Sequence, residues 1–212
     1  NIQAQIYEKS QNIRTFKGEG DREYLTGIQL GGRRILILLD ASASMLDDTI
    51  VNVIRRRNMD DAAKRRSWKW RQALATVDWI TARFPAESQY QIYSFNSRAT
   101  PVIANTRGRW LNVRDTRQLN NAVIEMKEMI PSGGSSLERA FMVIDQLRPR
   151  PDNVYVITDG LPTQGLNRSR GTTISGRGRL KHFESAVTRI PRGVPINAIL
   201  LPMEGDPMAA SA

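Results

Sequence analysis

Apolar residues in this chain fall into short unbroken runs separated by stretches of helical spacing. Arg33-Arg34-Ile35-Leu36-Ile37-Leu38-Leu39-Asp40 is apolar without alternation and closes on an acid and small residues, the pattern of a strand buried on both faces. Between Ala63 and Phe84, the residues Trp70, Ala73, Leu74, Val77, Ile80 and Phe84 recur at helical spacing until Pro85, which predicts one long amphipathic helix. Gln89–Phe95 alternates and is rich in aromatics, so it reads as a strand. Leu119–Met129 reads as a helix that stops before Pro131 and the Gly133-Gly134 turn, and Leu137–Leu147 as another. Asn153–Asp159 repeats the buried-strand pattern, Phe183–Ile190 is helical, and Pro195–Leu201 is a last strand.

Strands that alternate with helices and are themselves continuously apolar predict an α/β fold: three layers, with a doubly wound, mostly parallel central sheet and helices on both faces, Rossmann-like in outline. Residues 1–27 are polar and weakly periodic, punctuated by Gly18, Gly20 and Gly27, and read as a lead-in or linker to one domain over 28–212. At 212 residues and 40% hydrophobic content the chain can bury one sizeable core, which argues against disorder and coiled coil. With no cysteine, disulfides, thiolate zinc sites and thiol nucleophiles are excluded. No apolar stretch approaches the roughly 20 residues that a membrane span needs. The chain starts at Asn1 without a signal-peptide pattern, so the expectation is a processed or excised piece of something longer.

In sheets of this class ligands bind beyond the carboxyl ends of the strands. After the first strand comes Asp40-Ala41-Ser42-Ala43-Ser44, before the Leu137 helix comes Gly133-Gly134-Ser135-Ser136, and after the later strand comes Thr158-Asp159-Gly160. Two carboxylates and three hydroxyls, without His or Cys, make a hard oxygen site suited to Mg²⁺ or Mn²⁺. So few carboxylates leave a coordination position open, and a partner's carboxylate could fill it. Each element has a simpler explanation: Asp40, Ser42 and Ser44 could cap a helix, and Gly133-Gly134 could be only a turn. All of them together would need three independent coincidences.

Asp40-x-Ser42-x-Ser44, Gly-Gly-Ser135 and Thr158-Asp159-Gly160, in that order, resemble the metal-ion-dependent adhesion site (MIDAS) of the von Willebrand factor type A (VWA) domain, over about Arg33 to Pro202. The resemblance implies that Ser42 and Ser44 bind the metal directly, that Asp40 and Asp159 act mainly through water, and that Ser135 replaces the family's usual threonine. Ser136 is the alternative third hydroxyl. A serine lacks the threonine methyl that restricts the rotamer, so the site is expected to hold metal less tightly. The family's helix after the last strand has no counterpart before Ala212. Bacterial members form part of membrane-tethered envelope proteins, so the resemblance implies the cell envelope, at the periplasmic face of the inner membrane, ahead of the cytoplasm.

Enzyme readings fare poorly on the same residues. An aspartyl phosphatase would want a second acid two residues after Asp40, where Ser42 stands. The one histidine, His182, lies in a basic stretch with no Gly-x-Ser-x-Gly elbow, and neither Gly18-Glu19-Gly20 nor Gly176-Arg177-Gly178 follows a buried strand as a dinucleotide loop would. The expectation is a non-enzymatic binding module for an acidic protein ligand.

Charge adds to this. The net +10 resides in two segments: Arg55–Arg71, with eight basic residues against Asp60 and Asp61, and Gln164–Lys181, with five basic residues and no acid. The rest of the chain is close to neutral. Both segments read as insertions or loops near the metal-site face. One reading is an arginine-rich solvated surface. A second is that they steer an acidic ligand to the metal, with Arg168, Arg170, Arg177 and Arg179 as candidate partner contacts. The competing function is metal-independent binding of nucleic acid or another polyanion. For that role Trp68 and Trp70 could stack, but Trp70 fits the apolar helix face and no recognised nucleic-acid motif accompanies them.

Overall fold

The structure, a computed structural model, describes residues 31–167 and 174–204. Among these, strands β1 (Arg34–Asp40), β2 (Gln89–Phe95), β3 (Ala99–Pro101), β4 (Leu111–Asn112), β5 (Asn153–Thr158) and β6 (Ile196–Leu200) form one sheet. Its order is β3-β2-β1-β5-β6, with β4 also paired to β2. β1 runs parallel to both β2 and β5, and β5 parallel to β6; the short β3 and β4 pair with β2 in the antiparallel sense. β1 is therefore central, and Ile35 to Leu39 are fully buried, as an unbroken apolar run requires of a strand covered on both faces.

The helices are α1 (Ile50–Arg57), α2 (Asp61–Arg65), α3 (Trp68–Thr81), α4 (Thr116–Glu128), α5 (Leu137–Gln146) and α6 (Gly176–Val187). One face of the sheet packs Ile35, Ile37, Leu39, Tyr155 and Ile157 against Trp70, Ala73 and Val77 of α3 and Leu119 and Val123 of α4. The other packs Leu36, Leu38, Val154 and Val156 against Phe141 and Ile144 of α5 and Ala186 of α6. Helices thus cover both faces of a mostly parallel sheet, as expected.

Three expectations change. The helix predicted over Ala63–Phe84 is two helices broken at Arg66-Ser67. α2 is capped by Asp60, whose carboxylate accepts from Ala63 N, and Ser67 takes the N-cap position of α3. The apolar repeat begins only at Trp70, so nothing in it required the preceding turn to share one axis. The basic segment Arg55–Arg71 is accordingly no loop; it comprises the end of α1, α2 and the start of α3. The helix predicted over Phe183–Ile190 begins at Gly176, inside the segment read as a loop. Ser175 caps it by accepting from Gly178 N, a local bond that outweighs two glycines in the first turn. Residues 1–27 and the segment containing Arg168 and Arg170 lie outside the described residues. Among the described residues no helix is long and apolar enough to cross a membrane.

Candidate metal centre

Because β1 and β5 are parallel neighbours, Asp40 and Asp159 emerge at the same edge of the sheet. Asp40 is fully buried. Its Oδ1 accepts from Ser42 N at 2.8 Å and its Oδ2 from Thr158 Oγ1 at 2.8 Å. Ser42 Oγ lies 3.0 Å from Ser44 Oγ, and Ser44 Oγ donates to Asp159 Oδ1 at 3.0 Å. The Gly133 loop is stitched to this group by Ala43 N→Gly133 O (2.9 Å) and Ser132 N→Ala41 O (2.9 Å). Gly133 adopts φ +76, a conformation that favours glycine. The structure thus brings all three motifs to one place.

The two neighbouring serines differ. Ser136 caps α5: its Oγ accepts from Arg139 N and donates to Gly165 O at 2.9 Å. Ser135 is held through its backbone, N–H to Thr163 Oγ1 at 2.9 Å and C=O from Thr163 N and Gln164 N, so that its hydroxyl is not used by the fold among the described residues. Ser136→Ala should therefore cost about 1 kcal/mol of stability, as a lost cap does, and leave metal affinity unchanged. Ser135→Ala should do the reverse. Urea unfolding and Mn²⁺ titration of the two variants check this, and loss of metal affinity in Ser136→Ala alone would exchange their roles.

Among the described residues there is no group of three or more His, Cys, Asp or Glu that could hold a metal. A site here must rely on hydroxyls, and the spacings suit that. Adjacent ligands of an octahedral Mg²⁺ at about 2.1 Å stand about 3.0 Å apart, which matches the 3.0 Å separation of the Ser42 and Ser44 hydroxyls. Burial pushes the Asp40 carboxyl up to about 7, the Asp159 carboxylate adds to the rise, and the hydrogen bonds from Ser42 and Thr158 oppose it. Among the described residues Asp40 has no cationic side chain for a partner, so a divalent cation would satisfy a charge that the fold leaves uncompensated. The donor set fits Mg²⁺ or Mn²⁺.

Two participants escaped the reading of the sequence. Thr158 orients Asp40. Lys69, the second residue of α3, is fully buried and donates to Asp159 Oδ2 at 2.6 Å, Asp47 O at 3.1 Å and Ser44 O at 3.2 Å, with Met203 Sδ at 3.5 Å. Its signal was present: Lys69 is in helical phase with Ala73, Thr76 and Ile80, all buried.

The charge of segment 55–71 is correspondingly reduced. Arg56 pairs with Asp47, Lys64 with Asp61, Arg65 with Glu128 and Lys69 with Asp159. Trp68 is half exposed, while Trp70 is buried in the core. Of the candidate partner contacts, Arg177 is exposed, and Arg179 donates to Leu161 O, close behind the Asp159 loop.

No family model and no curated protein matches the sequence. Solved structures do resemble the fold. A von Willebrand factor type A protein from Catenulispora acidiphila matches with TM-score 0.50 and 13% identity, over 85% of this chain and 41% of that one. The fold is VWA-like. Weaker likenesses extend to BatB from Bacteroides thetaiotaomicron (TM-score 0.48, 15% identity, 82% of this chain and 73% of that one). They also include proximal thread matrix protein 1 of the mussel byssus with a zinc-occupied MIDAS motif (TM-score 0.43, 13% identity, 80% and 38%). This chain spans less than half the length of the Catenulispora and mussel proteins.

Proposed function

We propose that this VWA-like domain is a non-enzymatic, adhesion-type module that binds a partner protein through a divalent cation. Asp40, Ser42, Ser44, Ser135 and Asp159 hold Mg²⁺ or Mn²⁺, and an acidic residue of the partner completes the coordination. The supporting observation is the run of 3.0 Å contacts from Ser42 through Ser44 to Asp159 beside a buried Asp40 that has no cationic side chain as partner among the described residues. When bound, the cation supplies a Lewis-acidic centre at the sheet edge to which a carboxylate can attach. The chain's own part is to fix the hydroxyls. Asp40 orients the Ser42 backbone, Thr158 orients Asp40, and Lys69 fixes the Ser44 carbonyl and Asp159. A place in a cell-envelope assembly follows from the same resemblance and belongs to the proposal.

The test is calorimetry and thermal unfolding with Mg²⁺ or Mn²⁺ for the wild type and Asp40→Ala. Wild type should gain stability with cation concentration as a ligand binding only the folded state does, and Asp40→Ala should gain none. Absence of any cation effect on wild type would sink the proposal. RNA binding that persists in EDTA and weakens steeply with salt would favour the polyanion reading instead.

A further inference from the structure

Lys69 is not required by a hydroxyl-and-carboxylate metal site, and its placement has a consequence for what the site binds. Its side chain is fully buried and that of Asp159 is 7% exposed. All three ammonium protons have oxygen acceptors, in Asp159, Ser44 and Asp47, so the charge is locked in place. Asp40 and Asp159 together balance a divalent cation. Lys69 adds one further positive charge in a region shielded from water; among the described residues Asp159 is its one ion-pair partner, and Asp48, whose carboxyl burial raises, feels the Lys69 charge from beyond ion-pair range. Counting Asp40, Asp159 and Lys69, a cation bound alone leaves one unit of positive charge at the centre, and an anion at the open position restores neutrality.

We infer that Lys69 couples the two ligands: it weakens binding of the divalent cation alone and makes that binding depend on a carboxylate from the partner. Linkage makes the effect reciprocal, so the carboxylate binds tighter by the same factor where the cation is present. Lys69 is a specificity-determining residue here, selecting an anionic over a neutral oxygen ligand. The inference rests on the metal-site reading above.

The sign of one substitution separates this role from a structural one. If Lys69 only braced the Ser44 and Asp159 loops, removing it would weaken cation binding. If it sets the charge balance, removing it strengthens cation binding. The experiment is Mn²⁺ titration, following the free-ion electron paramagnetic resonance signal, in sodium acetate and in sodium chloride of equal ionic strength. Wild type should bind Mn²⁺ roughly tenfold tighter in acetate, within the usual range of such couplings. Lys69→Met should bind Mn²⁺ roughly tenfold tighter than wild type in chloride and respond to acetate by less than about twofold.

Circular dichroism verifies that the variant is folded, and Lys69→Gln, which keeps a hydrogen-bond donor without the charge, should behave as Lys69→Met does. The wild-type arm stands even if both variants fail to fold. Equal Mn²⁺ affinity in acetate and chloride overturns the coupling and leaves the metal site intact. Weaker binding by folded variants overturns it as well. No Mn²⁺ binding by wild type in either salt overturns the metal-site reading and this inference with it.

Discussion

Asp159→Ala is expected to lower the stability of the metal-free protein by about 3–5 kcal/mol, the loss that follows when one partner of a buried ion pair is removed. The cause is Lys69. With Asp159 gone, an ammonium with no exposed surface keeps two carbonyls and a thioether as neighbours and loses, at 2.6 Å, the only carboxylate within hydrogen-bond range among the described residues. The same change removes the acceptor of the Ser44 hydroxyl, so cation binding is lost too. Removing both charges, in Lys69→Met/Asp159→Asn, should recover a measurable part of the loss because no lone charge stays buried. By contrast, Arg114→Ala, which breaks an ion pair with Glu87 whose two side chains are mostly exposed, should change little. Urea unfolding in EDTA reads all of these. A loss below about 1 kcal/mol for Asp159→Ala would mean that water or a rearranged carboxylate reaches Lys69, contrary to its burial.

The second large effect is on pH. Without metal, the folded protein holds Asp40 at about 7, against 3.8 for the ordinary carboxyl. Between those values the folded state carries a proton that the unfolded chain has released, so stability falls as pH rises through this window. The full shift corresponds to on the order of 4 kcal/mol. Asp48, also raised by burial, acts in the same direction. In EDTA the urea midpoint should therefore be higher at pH 5 than at pH 8. Asp40→Asn should remove most of the slope and be more stable than metal-free wild type at pH 8, while losing all stabilisation by Mg²⁺. Saturating Mg²⁺ should flatten the wild-type slope, because the cation binds the ionised carboxylates and so favours the charged form. A midpoint in EDTA that rises from pH 5 to pH 8 would contradict the burial of Asp40 as an uncompensated acid.

The two effects together describe a site with its charges in tension. Asp159 is neutralised within the fold and Asp40 is not, although the carboxylates stand at the ends of adjacent strands. A conventional two-carboxylate site would offer both to the cation. Here one is already shared with a lysine, so a bound cation would be left with unspent positive charge, which the acidic partner of the proposed function would answer.

Much of this was legible in the chain. Ile35–Leu39 and Val154–Ile157 read as strands covered on both sides, because a short unbroken run of apolar and aromatic residues leaves neither face fit for water. Asp40, Ser42, Ser44 and Asp159 could be placed at one sheet edge because they follow the carboxyl ends of parallel strands, whereas Ser135 joined them only through the order of the three motifs. Short-range signals were less decisive. Ser67 and Ser175 start helices that the apolar repeat alone put elsewhere, since a cap is a single residue and leaves no periodic trace.

The sequence by itself determined the fold class, the buried strands and the oxygen-rich character of the site, because side-chain periodicity and ligand chemistry are local properties of the chain. Only the tertiary structure decided which serine is spent on a cap, that half of the basic residues in segment 55–71 face acids, and that Lys69 meets Asp159 from 90 residues away. A charge along a chain has no partner until the topology supplies one, and here the packing of α3 beside β1 and β5 places the ammonium of Lys69 against Asp159.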